Sequence, residues 1–177
     1  DLVVRRNWKG SWGNASVAAL LRELKIDEAG LRDSQAGAAI SLAGKIMVRD
    51  RDDFRWQVNY GNALGRYMGI NAFSVGALNA DGEIELTTQY GALAAYRHFW
   101  NDKLHSSFGA SFANADNDTD ISGLSVPKSY QSAHADIIWS PIERLSFGAE
   151  YIYGRREDES GDDGMLNRLQ LSAKYVY

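Results

Sequence analysis

The last thirteen residues, Met165 to Tyr177, read MLNRLQLSAKYVY and alternate almost strictly between apolar and polar side chains. The apolar set is Leu169, Leu171, Ala173, Tyr175 and Tyr177. The polar set is Arg168, Gln170, Ser172 and Lys174. Successive side chains of a strand point to opposite faces, so this stretch predicts a strand with one apolar face and one polar face. About ten residues are enough for a strand to cross the membrane in a barrel. The stretch therefore fits either a transmembrane barrel or the last strand of a soluble sheet.

The same alternation recurs along the rest of the chain, and it is cleanest from Asp53 to Gly61. The even-numbered residues from Phe54 to Tyr60 are large and apolar there, whereas the odd-numbered ones are polar or small, a spacing that no helix explains. The segment ASVAALLREL also suits a helix by composition, but its alternation favours a strand. We predict eight full strands and one partial strand, over residues 1–8, 14–26, 36–48, 53–61, 86–100, 104–114, 128–140, 145–156 and 165–177.

The connections between these predicted strands alternate in length. Short turns lie near Gly10, Asp50, Asp102 and Ile142. Longer polar connections lie near Gly30, Asn71, Asp118 and Ser160. Because consecutive strands run in opposite directions, all the short turns fall at one end, as in an outer-membrane barrel with tight periplasmic turns and large external loops.

Aromatic residues of the apolar face are predicted to gather near the strand ends. The short-turn end receives Phe54, Trp56, Trp100, Trp139, Phe147 and Tyr175, and the opposite end receives Tyr60, Phe112, Tyr151 and Tyr153. Two such girdles match the two interfaces of a membrane, whereas the aromatic residues of a soluble sandwich or lipocalin-like barrel need not sort to strand ends. We therefore expect five residues to contact lipid: Ile40, Trp56, Val58, Leu171 and Ala173.

The composition excludes several other classes of protein. No stretch of the 177 residues reaches the roughly 18 apolar residues that a membrane helix needs, and the mean hydropathy is −0.36. The absence of cysteine excludes disulfides and thiolate metal sites, and a net charge of −4 gives no electrostatic reason to expect nucleic acid. No signal peptide is visible, so a secreted protein would here be mature or truncated.

The odd number of predicted strands indicates a larger barrel. Single-chain bacterial barrels use even numbers of strands with both termini in the periplasm. We therefore expect residues 1–177 to form one transmembrane β-barrel domain that is a C-terminal part of the whole barrel. In the competing interpretation, Asp1 to Gly13 is only an extension on a complete eight-stranded barrel.

Several segments are similar, in sequence and in order, to one known family: GSWG followed by ASVAALLREL, FRWQVNYGNALGRY, YGALAAYRHFW, IIWSP, and EYIYGRRE before NRLQLSAKYVY. Over essentially the whole chain they resemble the C-terminal half of DcaP-like porins of Gram-negative bacteria. The resemblance implies a homotrimeric, roughly 16-stranded diffusion channel in the outer membrane, with a polar, water-filled interior and lipid around it. It also implies small anionic solutes, such as dicarboxylates and aromatic acids. The N-terminal half of that family is absent from this sequence.

The polar face of the predicted strands is rich in positive charge. By alternation it collects Arg22, Lys45, Arg55, Arg97, Arg156, Arg168 and Lys174, against only Asp136 and Glu150. Fixed cations along a narrow aqueous path concentrate anions, and an arginine can bind a carboxylate at two points. We predict an anion-selective lumen. In the alternative, these charges only solvate the wall or pair with acids elsewhere.

Two further clusters contain side chains of the kinds used in catalysis or metal binding. Ser132, His134 and Asp136 share one strand face, but such neighbours stand about 7 Å apart, too far for the direct bond that a nucleophilic serine needs. The loop Asp116 to Asp120 has several carboxylates but lacks the spacing and the closing glutamate of a calcium loop. We predict no enzyme activity, no metal site and no cofactor.

Two functions therefore remain: a passive channel for small anions, or a small structural or binding barrel without an open pore. The inward positions favour the channel because many are small and leave room for water, namely Ala39, Ala43, Gly61, Gly91, Ala95, Gly109 and Gly148. An eight-stranded barrel would fill its own interior with side chains.

Overall fold

The structure is a computed structural model that describes residues 1–28, 30–62 and 64–177, with only the backbone at residue 70. Antiparallel strands make up most of it, with two 3₁₀ turns (Gly65–Tyr67 and Gly69–Asn71) and one helical turn, α1 (Thr119–Ser122). The strands of the described residues are β1 (Leu2–Gly10), β2 (Gly13–Glu28), β3 (Leu31–Met47), β4 (Asp53–Asn62), β5 (Gly76–Leu78), β6 (Ile84–Leu86), β7 (Thr88–Asn101), β8 (Leu104–Asp116), β9 (Pro127–Ile142), β10 (Leu145–Asp158) and β11 (Asp163–Tyr175). Within these ranges, no helix is long and apolar enough to cross a membrane.

Nine of these strands form one antiparallel sheet in the order β1-β2-β3-β4-β7-β8-β9-β10-β11, and β5 pairs only with β6. The segment ASVAALLREL lies inside β2, so the strand prediction for it is confirmed. β1 pairs with β2 along its whole length, from Leu2 opposite Leu21 to Gly10 opposite Gly13. The first residues are therefore a ninth strand, and the eight-stranded interpretation is wrong. In the described part of the chain no pairing joins β1 to β11, so the sheet is open.

The connections sort to two ends of the sheet, which we call the short-turn end and the long-loop end. The short-turn end carries residues 11–12, 48–52, 102–103 and 143–144. At the long-loop end, the connections between Asn62 and Thr88 and between Asp116 and Pro127 are long, as predicted. The other two are tight, because β2 runs to Glu28 before β3 starts at Leu31, and only residues 159–162 separate β10 from β11.

The predicted polar connection over 27–35 is thus largely strand, and half of the one over 157–164 is strand. Polar side chains sustain the pairing there, since Arg32 Nε donates to Asp27 Oδ1 across the β2–β3 hairpin at 3.0 Å. A strand that continues beyond an apolar belt into water can be polar on both faces, and a polar pattern therefore does not mark its end.

The sheet has two distinct faces. Residues 64–75, here named the inner segment, fold back over one face, and we call this the inner face. The buried apolar residues lie at this contact: Leu20, Leu64, Met68, Phe73 and Ala115. Phe73 packs edge-on against Tyr130 with ring centroids 5.3 Å apart. The sequence predicted a loop over these residues but not its fold onto the wall.

The opposite, outer face carries the five residues that were predicted to contact lipid. The pairing registers place Ile40 opposite Tyr60 and Val58 opposite Leu42, all four at least two-fifths exposed. Trp139 and Phe147 stack at the short-turn end with centroids 5.9 Å apart. The pairing registers place Arg55 and Lys174 on the inner face.

Candidate lumen wall

The seven basic residues predicted to line a lumen all belong to the inner face. Leu20 is packed beneath the inner segment, and residues two apart on a strand share a face, so Arg22 lies on the same side. Pairing carries this assignment across the sheet, because directly opposed residues point to the same side. By these registers the inner face includes Arg22, Lys45, Arg55, Arg97, Arg156, Arg168 and Lys174.

Three of the seven form a group toward the short-turn end, which we call the cation group: Lys45, Arg55 and Arg97. Lys45 is directly opposite Arg55, and Asp53 is directly opposite Arg97. Arg55 donates to Asp53 through Nε at 2.6 Å and through Nη2 at 3.3 Å. Lys45 Nζ lies 3.5 Å from Asp53 Oδ2. Three cations thus surround one acid, and the group keeps a net excess of positive charge.

Asp53 is an inner-face residue that the sequence analysis missed. Its side chain is only 4% exposed, whereas those of Lys45 and Arg55 are 34% and 44% exposed. The Asp53 carboxylate therefore lies at the buried base of the cation group, while the charged ends of Lys45 and Arg55 reach solvent. Its position two residues before Arg55 in the same predicted strand was the available signal, because residues two apart on a strand share a face.

The other predicted cations do not join this group. Arg22 lies under the inner segment with its side chain 9% exposed, and its Nε is 3.4 Å from Asp1 Oδ1. Arg156 binds Asp158 with both Nε and Nη2, at 2.8 and 3.1 Å. Arg168 and Lys174 are exposed on β11, the edge strand. The seven cations are therefore spread over the wall.

Two basic residues of β1 also belong to the inner face and were missed. Arg5 is opposite Ala18 and donates to Ser16 Oγ at 3.2 Å. Lys9 is opposite Asn14, which in turn is opposite Lys45. Lys9 lies one residue beyond the strand predicted over 1–8 but belongs to the observed strand, because β1 continues to Gly10.

The three residues that resemble a hydrolase set each have a different partner. Ser132 Oγ is 2.8 Å from Ser111 Oγ, and His134 Nδ1 is 3.1 Å from Glu150 Oε1. Asp136 Oδ1 accepts the backbone N–H of Ser107 at 2.9 Å. These contacts run across strands and do not link the three to one another, so they form wall hydrogen bonds and no nucleophile–base pair.

The acidic loop after β8 is organised by hydrogen bonds of its own. Asp118 precedes α1 and accepts the backbone N–H of Asp120 at 3.0 Å, which caps that turn. Ser122 Oγ also donates to the Asp118 carbonyl at 2.6 Å. In the described ranges, no three His, Cys, Asp or Glu residues are grouped so that they could hold a metal ion.

A groove of about 680 Å³ lies beside the inner segment, over strands β8 to β11. Its walls include Met68 and Ala72 of the inner segment, with Tyr130, Ile152 and Arg156 from the sheet. The inner face thus keeps open space next to the segment that partly covers it.

Comparison with known proteins identifies the family and the fold. The family model described as DcaP outer membrane protein matches residues 38–177. The crystal structure of the outer membrane channel DcaP of Acinetobacter baumannii superposes with a TM-score of 0.82 at 20% sequence identity. The match covers 99% of this chain and 51% of that channel, so the chain spans about half the length of its structural relative. No curated protein matches.

Proposed function

This chain belongs to the DcaP outer membrane protein family, and from that premise we propose that it contributes to the wall of a passive diffusion channel for small anions. It lies in the outer membrane of a Gram-negative bacterium, and its nine-stranded sheet has the fold of part of an outer-membrane β-barrel. Channels form no covalent bond with their solutes, which agrees with a wall in which Ser132 contacts Ser111 and His134 contacts Glu150.

The cation group is the observation that carries the proposed selectivity. Lys45, Arg55 and Arg97 contribute three positive charges and Asp53 one negative charge, which leaves an excess of two. Because Arg55 and Lys45 remain about two-fifths and one-third exposed, a passing carboxylate can reach them. Fixed charge beside a narrow aqueous path raises the local anion concentration and lowers the barrier to entry.

The solutes and the assembly follow from the same proposal. Dicarboxylates and aromatic acids suit a path that pairs guanidinium groups with small inward residues such as Gly91 and Ala95. The working unit is a homotrimer of barrels, each a single domain to which residues 1–177 belong. Lipid surrounds the apolar outer face at Ile40, Val58 and Leu171.

The decisive experiment measures ion selectivity after removal of two cations. In the full-length protein, Arg55→Gln combined with Arg97→Gln should lower the anion preference measured as a single-channel reversal potential. The loss should be largest at low salt, because the screening length is about 30 Å at 0.01 M but only about 3 Å at 1 M.

A matched control removes two cations from the outer face. Lys25→Gln with Arg32→Gln changes the net charge equally, on the β2–β3 hairpin near the long-loop end. Equal losses in the two double variants would contradict a selective cation group. A full-length protein that carried no ion current would favour the alternative of a filled structural or binding barrel.

A further inference from the structure

Gln89 is the most deeply buried polar side chain in the described residues, with no solvent exposure. It lies on the inner face of β7, where Gly61 of β4 and Ala115 of β8 are its cross-strand neighbours. A buried amide costs free energy unless its donor and acceptor are both satisfied. The hydrogen-bond partners of the Gln89 amide therefore show which part of the chain this side chain holds.

Both hydrogen-bonding ends of Gln89 bind the inner segment. Its Nε2 donates to the carbonyl of Ser74 at 2.6 Å, near the end of the segment. Its Oε1 accepts the backbone N–H of Gly65 at 2.9 Å, near the start. One side chain thus ties together two backbone groups nine residues apart and fixes both to the wall.

Other contacts of the inner segment also hold it against the wall. Leu64, Met68 and Phe73 are at most 5% exposed and pack against Leu20 and Ala115 of the wall. Gly65 adopts φ +47°, and a Cβ there would come within 2.3 Å of Val75 Cγ1. The backbone N–H of Thr87, which directly precedes β7, also donates to the Val75 carbonyl at 3.1 Å.

We infer that Gln89 is a positioning residue that holds the inner segment against the wall and so sets the width of the aqueous path beside it. An amide is suited to this task because it offers a donor and an acceptor together. Glutamate could accept from Gly65 but would face the Ser74 carbonyl with a second acceptor. Methionine has a similar length and could replace neither bond. The inference rests on the proposed channel function for its effect on ion flow.

The test uses the full-length protein and a thiol reporter. The 177 residues contain no cysteine, so Met68→Cys places a reporter at a site that is 5% exposed. Adding Gln89→Met should raise the rate of labelling by a membrane-impermeant maleimide about tenfold or more, because two buried backbone groups lose their partner. Open-channel current noise should rise as well. Heat-modifiable migration of the barrel should be unchanged.

Gln170→Met is the matched control, because Gln170 lies on the inner face of β11, opposite Glu150 and outside the contacts of the inner segment. It should leave labelling and noise near their parent values. Gln89→Glu keeps the size of the side chain and the acceptor for the Gly65 N–H, so it should give an intermediate labelling rate. It replaces Gln89→Met as the test variant if that variant fails to reach the membrane.

Unchanged labelling in both Gln89 variants would overturn the inference. Faster labelling with unchanged current noise would also overturn it, because the segment would then not border the conducting path. If the parent protein carries no current, the proposed function fails, while the labelling rates still decide whether Gln89 holds the segment.

Discussion

Asp52 is buried in a turn although it is an acid at the rim of a membrane protein. It precedes β4, its side chain is 5% exposed, and three groups bind its carboxylate. The backbone N–H of Phe99 donates at 2.9 Å, the Tyr96 hydroxyl donates at 2.7 Å, and His98 Nδ1 is 2.8 Å away. The Phe99 bond first, and then the two side chains, hold the pKa of Asp52 well below its ordinary value.

We expect Asp52→Asn to lower the thermal stability of the full-length protein at neutral pH. A depressed pKa in the folded state means that the ionised carboxylate stabilises the fold above its unfolded pKa of about 3.9. That stabilisation is lost as the pH falls from about 4 toward the folded-state pKa. The difference in melting temperature between wild type and variant should therefore be full above about pH 5 and shrink below about pH 4. Thermal unfolding followed by circular dichroism measures it.

Asp50→Asn is the control for this turn, because Asp50 is exposed two residues away. It should change the melting temperature little at any pH. A loss in Asp50→Asn equal to that in Asp52→Asn would show that the turn responds to net charge and not to the Asp52 contacts.

Removal of the negative charge of Asp53 should change the anion preference in the opposite direction from removal of the arginines. Asp53→Asn keeps an acceptor for Arg55 but removes the one acid at the centre of the cation group. Anion preference should therefore rise above that of the parent channel, most clearly at low salt. Reversal potentials measure this, with Asp81→Asn in the β5–β6 turn as the control. An unchanged or lowered preference would show that the cation group does not face the permeating ions.

At the scale of the strand, β4 presents Trp56 and Val58 to the outer face at different depths. Trp56 is nearer the short-turn end, and its ring lies over Gly44, where an added Cβ would come within 2.8 Å of Nε1. Val58 is mid-strand, between Leu42 and Ala92. A lipid-facing arginine costs about 2 to 4 kcal/mol near the midplane and about 0 to 1 kcal/mol near an interface.

Val58→Arg should therefore destabilise the barrel more than Trp56→Arg, by about 2 kcal/mol. Reversible unfolding of the full-length protein in lipid vesicles compares the two variants. Gln57→Arg, on the inner face between them, should cost less than Val58→Arg because it reaches water. Equal costs at positions 56 and 58 would contradict the placement of Trp56 in the interfacial girdle.

The strands were predictable from sequence because period-two alternation is a local property. The faces of Arg55, Arg97 and Val58 followed directly from it. The fold of residues 64–75 did not follow, because its position depends on Gln89, which is distant in sequence from Gly65 and meets it only in the assembled sheet. A glutamine on a strand reads simply as a polar wall residue. The tight turn after Glu28 was missed for a related reason, since polar residues there still pair as strand.

At the scale of the whole molecule, the sheet has two edges, β1 and β11, that do not pair with each other in the described residues. Strand N–H and C=O groups without partners cost several kcal/mol each in a bilayer, which is why membrane barrels are closed. The superposition covers 99% of this chain but 51% of the Acinetobacter baumannii channel, so about half of that channel lies outside the matched wall. The edges of this sheet are thus suited to pairing with additional strands.

We expect residues 1–177, produced alone and refolded into lipid vesicles, to give no heat-resistant monomer. Unpaired edges should drive the polypeptide to aggregate or to pair with a second copy, which mass measurement in detergent distinguishes. The whole Acinetobacter baumannii channel is the positive control for refolding, and its matched half is the control for the effect of open edges. Electrophoresis with and without heating, together with trypsin protection, provides the measurement. A compact, trypsin-resistant monomer of residues 1–177 would contradict the prediction, because β1 and β11 would then have to pair, and the described residues show no such pairing.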